Sequence, residues 1–280
     1  MMKRLIAVGV TDAAASRRAV DWAVRRAQDR RERILLVSVV EHGAGIGGES
    51  ALVDAALAAT EQLLDDRAAM ARAAGLDVTV RLARGRPLEQ LLEISRDADL
   101  LVIGSDYSGE RHARARGPRG IRVSAGAHCP VAVIPDMDLD DRSGVVVGVD
   151  GSEVSEHAIR FAAQEADRTH EPLTAVAAWS PFAVPLEIRS YPEDYLTNMQ
   201  NLTEETLGLS LAGLREDYPD LQLRSIVEAG YPAEVLCREA ERARLVVVGS
   251  HGRGGIARFL LGSTSQTLLD RMPTAVAIVR

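Results

Sequence analysis

Leu245-Val246-Val247-Val248-Gly249-Ser250-His251-Gly252 is an unbroken apolar run that ends on a glycine turn. A short apolar run bounded by turn residues reads as a buried strand. Leu100-Leu101-Val102-Ile103-Gly104-Ser105 has the same form, and 245 minus 100 gives an offset of 145. That offset also carries Gly85 and Pro87 onto Gly230 and Pro232, Gly117 onto Gly262, and Val131–Ile134 onto Val276–Val279. Nearer the start, Ile6-Ala7-Val8-Gly9-Val10 matches Val145-Val146-Val147-Gly148-Val149, at an offset of 148 minus 9, or 139. Agreement at so many points marks an internal repeat. The chain reads as two copies of one domain, over 1–136 and 144–280, joined by an acid-rich linker over 137–143. The growth in offset by six places an insertion in the second copy, before Gly230.

Within the first copy, strand patterns at 4–10, 34–40, 77–83, 99–104 and 131–134 alternate with helical patterns near 13–29, 50–74, 87–97 and 117–127. Continuous apolar strands separated by helices predict an α/β fold, a parallel sheet with helices on both faces. Such a sheet binds ligands beyond the carboxyl ends of its strands, where strand order reverses. The residues after strands 1, 2 and 4 of each copy are therefore the candidates for function.

Composition narrows the class. The 280 residues are 46% hydrophobic and 26% charged, as in an ordinary globular protein. A net charge of -7 argues against general nucleic-acid binding, which depends on Lys and Arg. Two cysteines, Cys129 and Cys237, form no metal or disulfide pattern and read as reduced, buried thiols. No apolar run is long enough to cross a bilayer, and Met1–Ile6 reads as the approach to a first strand rather than a signal peptide. The expected location is the cytoplasm, with no membrane partner.

In the second copy, strand 1 runs out at Gly148-Val149-Asp150-Gly151-Ser152. Ser152 is a natural N-cap. Asp150 has two readings, an acceptor for a ligand or a cap for the helix that follows. Strand 4 ends at Gly249-Ser250-His251-Gly252-Arg253-Gly254-Gly255, and Gly262-Ser263-Thr264-Ser265 opens an apolar helix with Leu268 and Leu269. Glycines allow close backbone approach to an anion, and a helix N-terminus favours phosphate. The pattern reads as a phosphate cradle or, more plainly, as a loop before a capped helix.

These residues resemble a known family. Gly249-x2-Gly252-x9-Gly262-Ser263 is similar to the ATP-binding signature of universal stress proteins, and Val147–Ser152 resembles that family's opening motif. Gly230-x-Pro232-Ala233 and His128-Cys129-Pro130-Val131 are similar to its other turns, so the resemblance covers nearly the whole chain. It implies open five-stranded parallel sheets, Rossmann-like and similar to the adenine nucleotide alpha hydrolases. It also implies ATP, with Mg2+, as ligand. By position, Val149 and Ala178 would line the adenine pocket, Gly148 would belong to the same nucleotide site, and Asp150 would hold the ribose or neighbouring groups. Gly249, His251 and Gly252 would follow ribose and phosphates, and Gly262, Ser263, Thr264 and Ser265 would bind phosphate. No GxxxxGK[ST] motif and no base paired with a nucleophile is present. The implied role is a stress-response regulator rather than an enzyme, acting on protein partners that the sequence does not name, as a homodimer. A slow ATP hydrolase or a phosphoryl or nucleotidyl transferase is the rival reading.

The first copy departs from the signature. Thr11 stands for Asp150, Tyr107 for Gly252, Pro118 for Ser263 and Arg119 for Thr264. A proline there removes an amide from the cradle. The first copy is therefore expected to bind ATP weakly or not at all. The five arginines of 111–122 read either as a solvated loop or as an anion site. Gly43-Ala44-Gly45-Ile46-Gly47-Gly48 fits G-x-G-x-x-G, but it follows strand 2 and lacks the acidic strand end that dinucleotide binding needs. Ser180–Pro185 reads as a lid or partner surface, and His157 as exposed.

Overall fold

A computed structural model describes residues 4–41, 50–105, 119–181, 193–252 and 260–280. The chain divides into two compact units, Met1–Met137 and Asp138–Arg280.

Unit 1 runs β1 (Leu5–Gly9), α1 (Ala14–Arg30), β2 (Arg33–Val40), α2 (Ser50–Ala73), β3 (Val78–Arg84), α3 (Pro87–Ile94), β4 (Leu100–Gly104), α4 (Arg119–Gly126) and β5 (Val131–Ile134). Its strands lie in the order β3-β2-β1-β4-β5, every pair parallel. The chain steps outward from β1 to β3 and then returns to place β4 on the other side of β1. The carboxyl ends of β1 and β4 are thus the switch point of an open α/β sheet.

Unit 2 repeats the plan with β6 (Val145–Gly148), α5 (Glu153–Thr169), β7 (Leu173–Trp179), α6 (Glu193–Ser210), α7 (Leu214–Asp217), β8 (Leu223–Ala229), α8 (Pro232–Ala240), β9 (Leu245–Gly249), α9 (Ser263–Arg271) and β10 (Ala275–Val279). The order is β8-β7-β6-β9-β10, again all parallel. β2 and β7 keep the offset of 139, whereas β3 and β8 keep 145. The insertion therefore falls between β7 and β8, the stretch that holds α6 and α7.

Sequence dictates these elements through burial. The central strands are unbroken apolar runs: four residues of β4, Leu100–Ile103, and four of β9, Leu245–Val248, are buried. A strand covered on both faces has no polar side to alternate with. The outer strands are more open: β3 alternates between covered and exposed residues, and β8 has no fully buried residue. Alanines of α1 and α5 let these helices lie close on the sheet; Ala19, Ala23 and Ala27, like Ala158, Ala162 and Ala166, are fully buried. Pro87 and Pro232 start α3 and α8 at the position where a missing N–H costs nothing. α3 ends at Ile94, three residues short of expectation. Ser95 stops it: its hydroxyl donates to Leu92 O at 2.7 Å and accepts from His128 N at 3.0 Å. Trp179 is buried at the end of β7, its Nε1 donating to Gln200 Oε1 of α6 at 2.8 Å.

Among the described residues, no helix is long and apolar enough to cross a membrane. Cys129 and Cys237 are free and buried. His157 is half-buried rather than exposed, because Nδ1 lies 2.8 Å from the carbonyl of Arg280.

Candidate functional site

The switch point of unit 2 opens into a cleft of about 220 Å³. The residues singled out by sequence reach its wall from four places in the chain. The end of β6 supplies Gly148, Val149 and Asp150, and β7 supplies Ala178. The end of β9 supplies Gly249, His251 and Gly252, and the start of α9 supplies Gly262, Ser263, Thr264 and Ser265. All eleven residues singled out by sequence meet in this one cleft. Ser155, Val176, Pro232, Leu236 and Val248 line it as well and were not singled out. Their signal was indirect, since Pro232 marked only a turn and the other four read as helix or strand interior.

The β6 turn is built by three residues. Gly151 takes φ +75°, a left-handed conformation that glycine adopts without penalty. Ser152 is the N-cap of α5, accepting from Ser155 N at 3.2 Å. Asp150 does not cap the helix. Its Oδ1 accepts from Ser152 N at 3.0 Å and Ser152 Oγ at 2.6 Å, so it braces the capping residue. Its Oδ2 stands against Gly252, where any added Cβ would overlap it. Gly252 therefore has a steric duty beyond the close anion approach expected of it. A side chain there would displace the carboxylate.

The β9 turn is tied to the start of α9. Gly262 N donates to Ser250 O at 2.8 Å, and Ser250 N donates to Val279 O at 2.7 Å. Ser265 is buried, and its hydroxyl donates to Gly249 O at 2.6 Å. This hydroxyl joins α9 to β9 and is committed to that task. The Ser250 hydroxyl lies 2.9 Å from His251 Nδ1, which fixes the imidazole at the cleft wall.

α9 begins with Gly262 as N-cap, and no side chain caps it. The amides of Ser263, Thr264 and Ser265 have no partner within the helix, as in any first turn. They carry the positive end of the helix dipole into the cleft. Asp150 and His251 are the titratable side chains among the described lining residues. The site therefore offers an acceptor at one end, backbone donors at the other, and an apolar floor of Val149, Val176, Leu236 and Val248.

In unit 1, Thr11 occupies the place of Asp150, and its N–H donates to Ser16 Oγ at 2.8 Å. Tyr107, the arginines at 111, 114 and 116, and Pro118 lie outside the described residues, as do Gly43–Gly48, Phe182–Pro185 and Arg253–Gly255. The side chain of Arg119 lies outside them too.

Comparison with known proteins agrees with this architecture. The model of the universal stress protein family matches residues 2–135 and again 143–280. A universal stress protein of Mycobacterium tuberculosis is 33% identical over 288 residues, covering 98% of this chain and 96% of its own. One of Mycobacterium bovis is 40% identical over 211 residues, covering 72% of this chain and 69% of its own. Among solved structures, a universal stress protein of Archaeoglobus fulgidus superposes with a TM-score of 0.72 at 20% identity, covering 98% of this chain and 95% of its own. One of Pseudomonas aeruginosa superposes at 0.68 and 19% identity, covering 99% and 92%. The chain belongs to the universal stress protein family and carries the family's domain twice in tandem.

Proposed function

We propose that this universal stress protein is an ATP-binding regulator of the cytoplasmic stress response, and that unit 2 holds the nucleotide. One observation carries the reading: eleven residues drawn from four separate segments line a single cleft at the switch point of the sheet. The residues present fit a nucleotide. Gly252 leaves no room for a side chain beside Asp150, and the first turn of α9 ends uncapped at the cleft.

In this reading, Val149 and Ala178 flank the base, and Asp150 accepts from the sugar hydroxyls. The amides of Ser263, Thr264 and Ser265 donate to phosphate oxygens, as do the hydroxyls of Ser263 and Thr264. The uncapped amides of α9 would meet the negative charge of the phosphates. Magnesium enters with ATP, because that ion is held mainly by phosphates and one or two carboxylates. With Asp150 given to the sugar hydroxyls, the phosphates themselves would supply the ion's ligands at this site. Nucleotide occupancy, rather than turnover, is the signal passed to a partner.

The test is calorimetric titration of magnesium-ATP into the intact chain, with released phosphate assayed in the same sample. Gly252→Val should weaken binding at least about tenfold, because its side chain displaces Asp150. Binding without phosphate release supports a regulator. Steady phosphate release that stops in Gly252→Val would make the protein a hydrolase instead.

A further inference from the structure

β8 ends the strand order of unit 2, and its hydrogen bonds show which of its backbone groups face away from the sheet. It runs parallel to β7, from Leu223 opposite Leu173 to Ala229 opposite Trp179. Leu173 N donates to Gln222 O at 2.9 Å, and Gly230 N donates to Trp179 O at 2.8 Å. Successive residues of a strand turn their N–H and C=O to opposite sides. Even-numbered residues therefore face β7, and Leu223, Ser225, Val227 and Ala229 present theirs to the open side. Among the described residues, no hydrogen bond reaches those outward groups. A row of unpaired strand groups is a template for another strand.

The outer strand of unit 1 is guarded where β8 is not. In β3 the odd-numbered residues face β2, since Ile34 N donates to Asp77 O and Gly85 N to Val40 O. Val78 O thus lies on the open edge, and Arg72 Nη2 donates to it at 3.1 Å. β3 also carries Arg81 and Arg84 and no acid, so pairing with its own copy would bring like charges together. Charge on an edge strand is a common guard against such pairing. β8 instead holds one base and one acid, Arg224 and Glu228. Ile226 stands midway between them and is also the midpoint of the strand.

This arrangement selects a second copy of the same strand. Two copies of β8 laid antiparallel about Ile226 pair all 7 residues. Ser225 then meets Val227, and Leu223 meets Ala229. Both are pairs of outward-facing residues, able to exchange N–H···O bonds. Arg224 meets Glu228 twice, once on each side of the twofold axis. That pair falls at non-hydrogen-bonded positions, where side chains stand closest, and opposite charges there stabilise the pairing. Glu228 accepts from Arg238 of α8 at 3.0 Å and stays 39% exposed, so the acid is held at the edge and within reach of a second arginine. Registers centred one residue to either side lose both ion pairs. A register centred on Arg224 or on Glu228 sets that charge against itself.

We infer that β8 is the contact strand of a twofold dimer of this chain, in which two unit 2 sheets join through antiparallel β8 strands centred on Ile226. A twofold contact uses up both β8 edges, so assembly through them stops at two. The inference does not depend on ATP binding in unit 2.

The test is sedimentation velocity of the intact chain from about 1 to about 100 µM, a range suited to a small interface. A dimer should form as concentration rises. Ser225→Pro removes an outward N–H that no bond within the unit uses, a place where an edge strand tolerates proline. It should weaken the dimer at least about tenfold, with the fold checked by Tm and circular dichroism. Arg224→Glu gives the edge two acids, and Glu228→Arg gives it two bases. Each of these chains alone should sediment as a monomer, and their equimolar mixture should dimerise. Recovery in the mixture is a result that a purely structural role of the two residues would not give. A chain monomeric up to about 100 µM, a dimer indifferent to all three changes, or a mixture that stays monomeric would overturn the inference. So would open-ended assembly, the mark of a contact that does not close. Should Ser225→Pro not fold, the two charge variants decide.

Discussion

Unit 1 and unit 2 share a strand order, a switch point and a cleft, but they differ in charge. Unit 1 has 20 Lys and Arg against 18 Asp and Glu, a net of +2, while unit 2 has 13 against 22, a net of -9. The contrast reaches the interior. Position 26 of unit 1 corresponds to position 165 of unit 2, by the offset of 139. The first is a buried arginine paired with Glu32, and the second a buried glutamate paired with Arg168 at 3.0 Å. The fold asks only that a buried charge be paired. Either sign meets that demand. What the backbone plan fixes is apolar: the strand cores, the alanine faces of α1 and α5, and the glycine ends of β1, β4, β6 and β9. Charge was left free to diverge.

The largest expected effects test the claim that the two pairs are equivalent. Removing one partner of a buried pair leaves an uncompensated charge. Arg26→Met in unit 1 should cost about 3–5 kcal/mol of stability, and Glu165→Leu in unit 2 a similar amount. Chemical denaturation of the intact chain measures both. The double change Arg26→Met with Glu32→Gln should recover most of the loss. If it does not, Arg26 is held by packing rather than by its partner, and the comparison fails.

A second contrast lies in the glycines that end β4 and β9. A Cβ on Gly104 would sit 2.6 Å from the backbone of Ala15 and Ser16, whereas one on Gly249 would meet the side chain of Val154 at 2.8 Å. Backbone cannot yield as a side chain can. Gly104→Ala should cost about 3 kcal/mol and Gly249→Ala about 1 kcal/mol. Equal costs would mean that the two turns are more alike than their geometry indicates.

Smaller effects concern unit 2 alone. Burial raises the pKa of Cys237, partly offset by the neighbouring Arg271. A raised pKa depletes the reactive thiolate. Labelling of Cys237 by a thiol reagent at neutral pH should be at least about tenfold slower than in the unfolded chain. Partial burial likewise raises the pKa of Asp270 in the last turn of α9. A carboxyl whose folded pKa lies above its unfolded value is destabilising when ionised. Asp270→Asn should therefore raise Tm by about 1 °C at neutral pH. The gain should vanish as pH falls below the ordinary aspartate value, about 3.9, where both states are protonated.

Much of this was legible in the sequence because the decisive signals are local. Short apolar runs such as Leu100–Ile103 and Leu245–Val248, bounded by turn glycines, read as buried strands, and those glycines mark where each strand stops. The repeat then cross-checked each element against its copy. What stayed hidden depends on contacts between distant residues. The Ser265 hydroxyl, read as a phosphate donor, is engaged by a carbonyl 16 residues away. The brace from Asp150 to Ser152 removes the plain helix cap, one of the two readings that sequence alone left level. The apolar floor of the cleft was invisible for a different reason: a Leu or Val facing a ligand has the same sequence pattern as one facing the core.

The central claim is that one of two similar clefts binds ATP through an uncapped helix start. Gly262 has extended backbone, φ −63° and ψ 153°, which suits any N-cap residue, and a Cβ there makes only ordinary contact with His251 at 3.4 Å. Gly262→Asp would place a carboxylate on the α9 amides, holding or slightly raising stability while filling the anion position. The direct measurement is magnesium-ATP titration of the intact chain beside this variant, with Tm followed in both. The account predicts one site per chain, weakened at least about a hundredfold in Gly262→Asp with Tm unchanged or higher. Two equivalent sites per chain, or one site indifferent to Gly262→Asp, would contradict it.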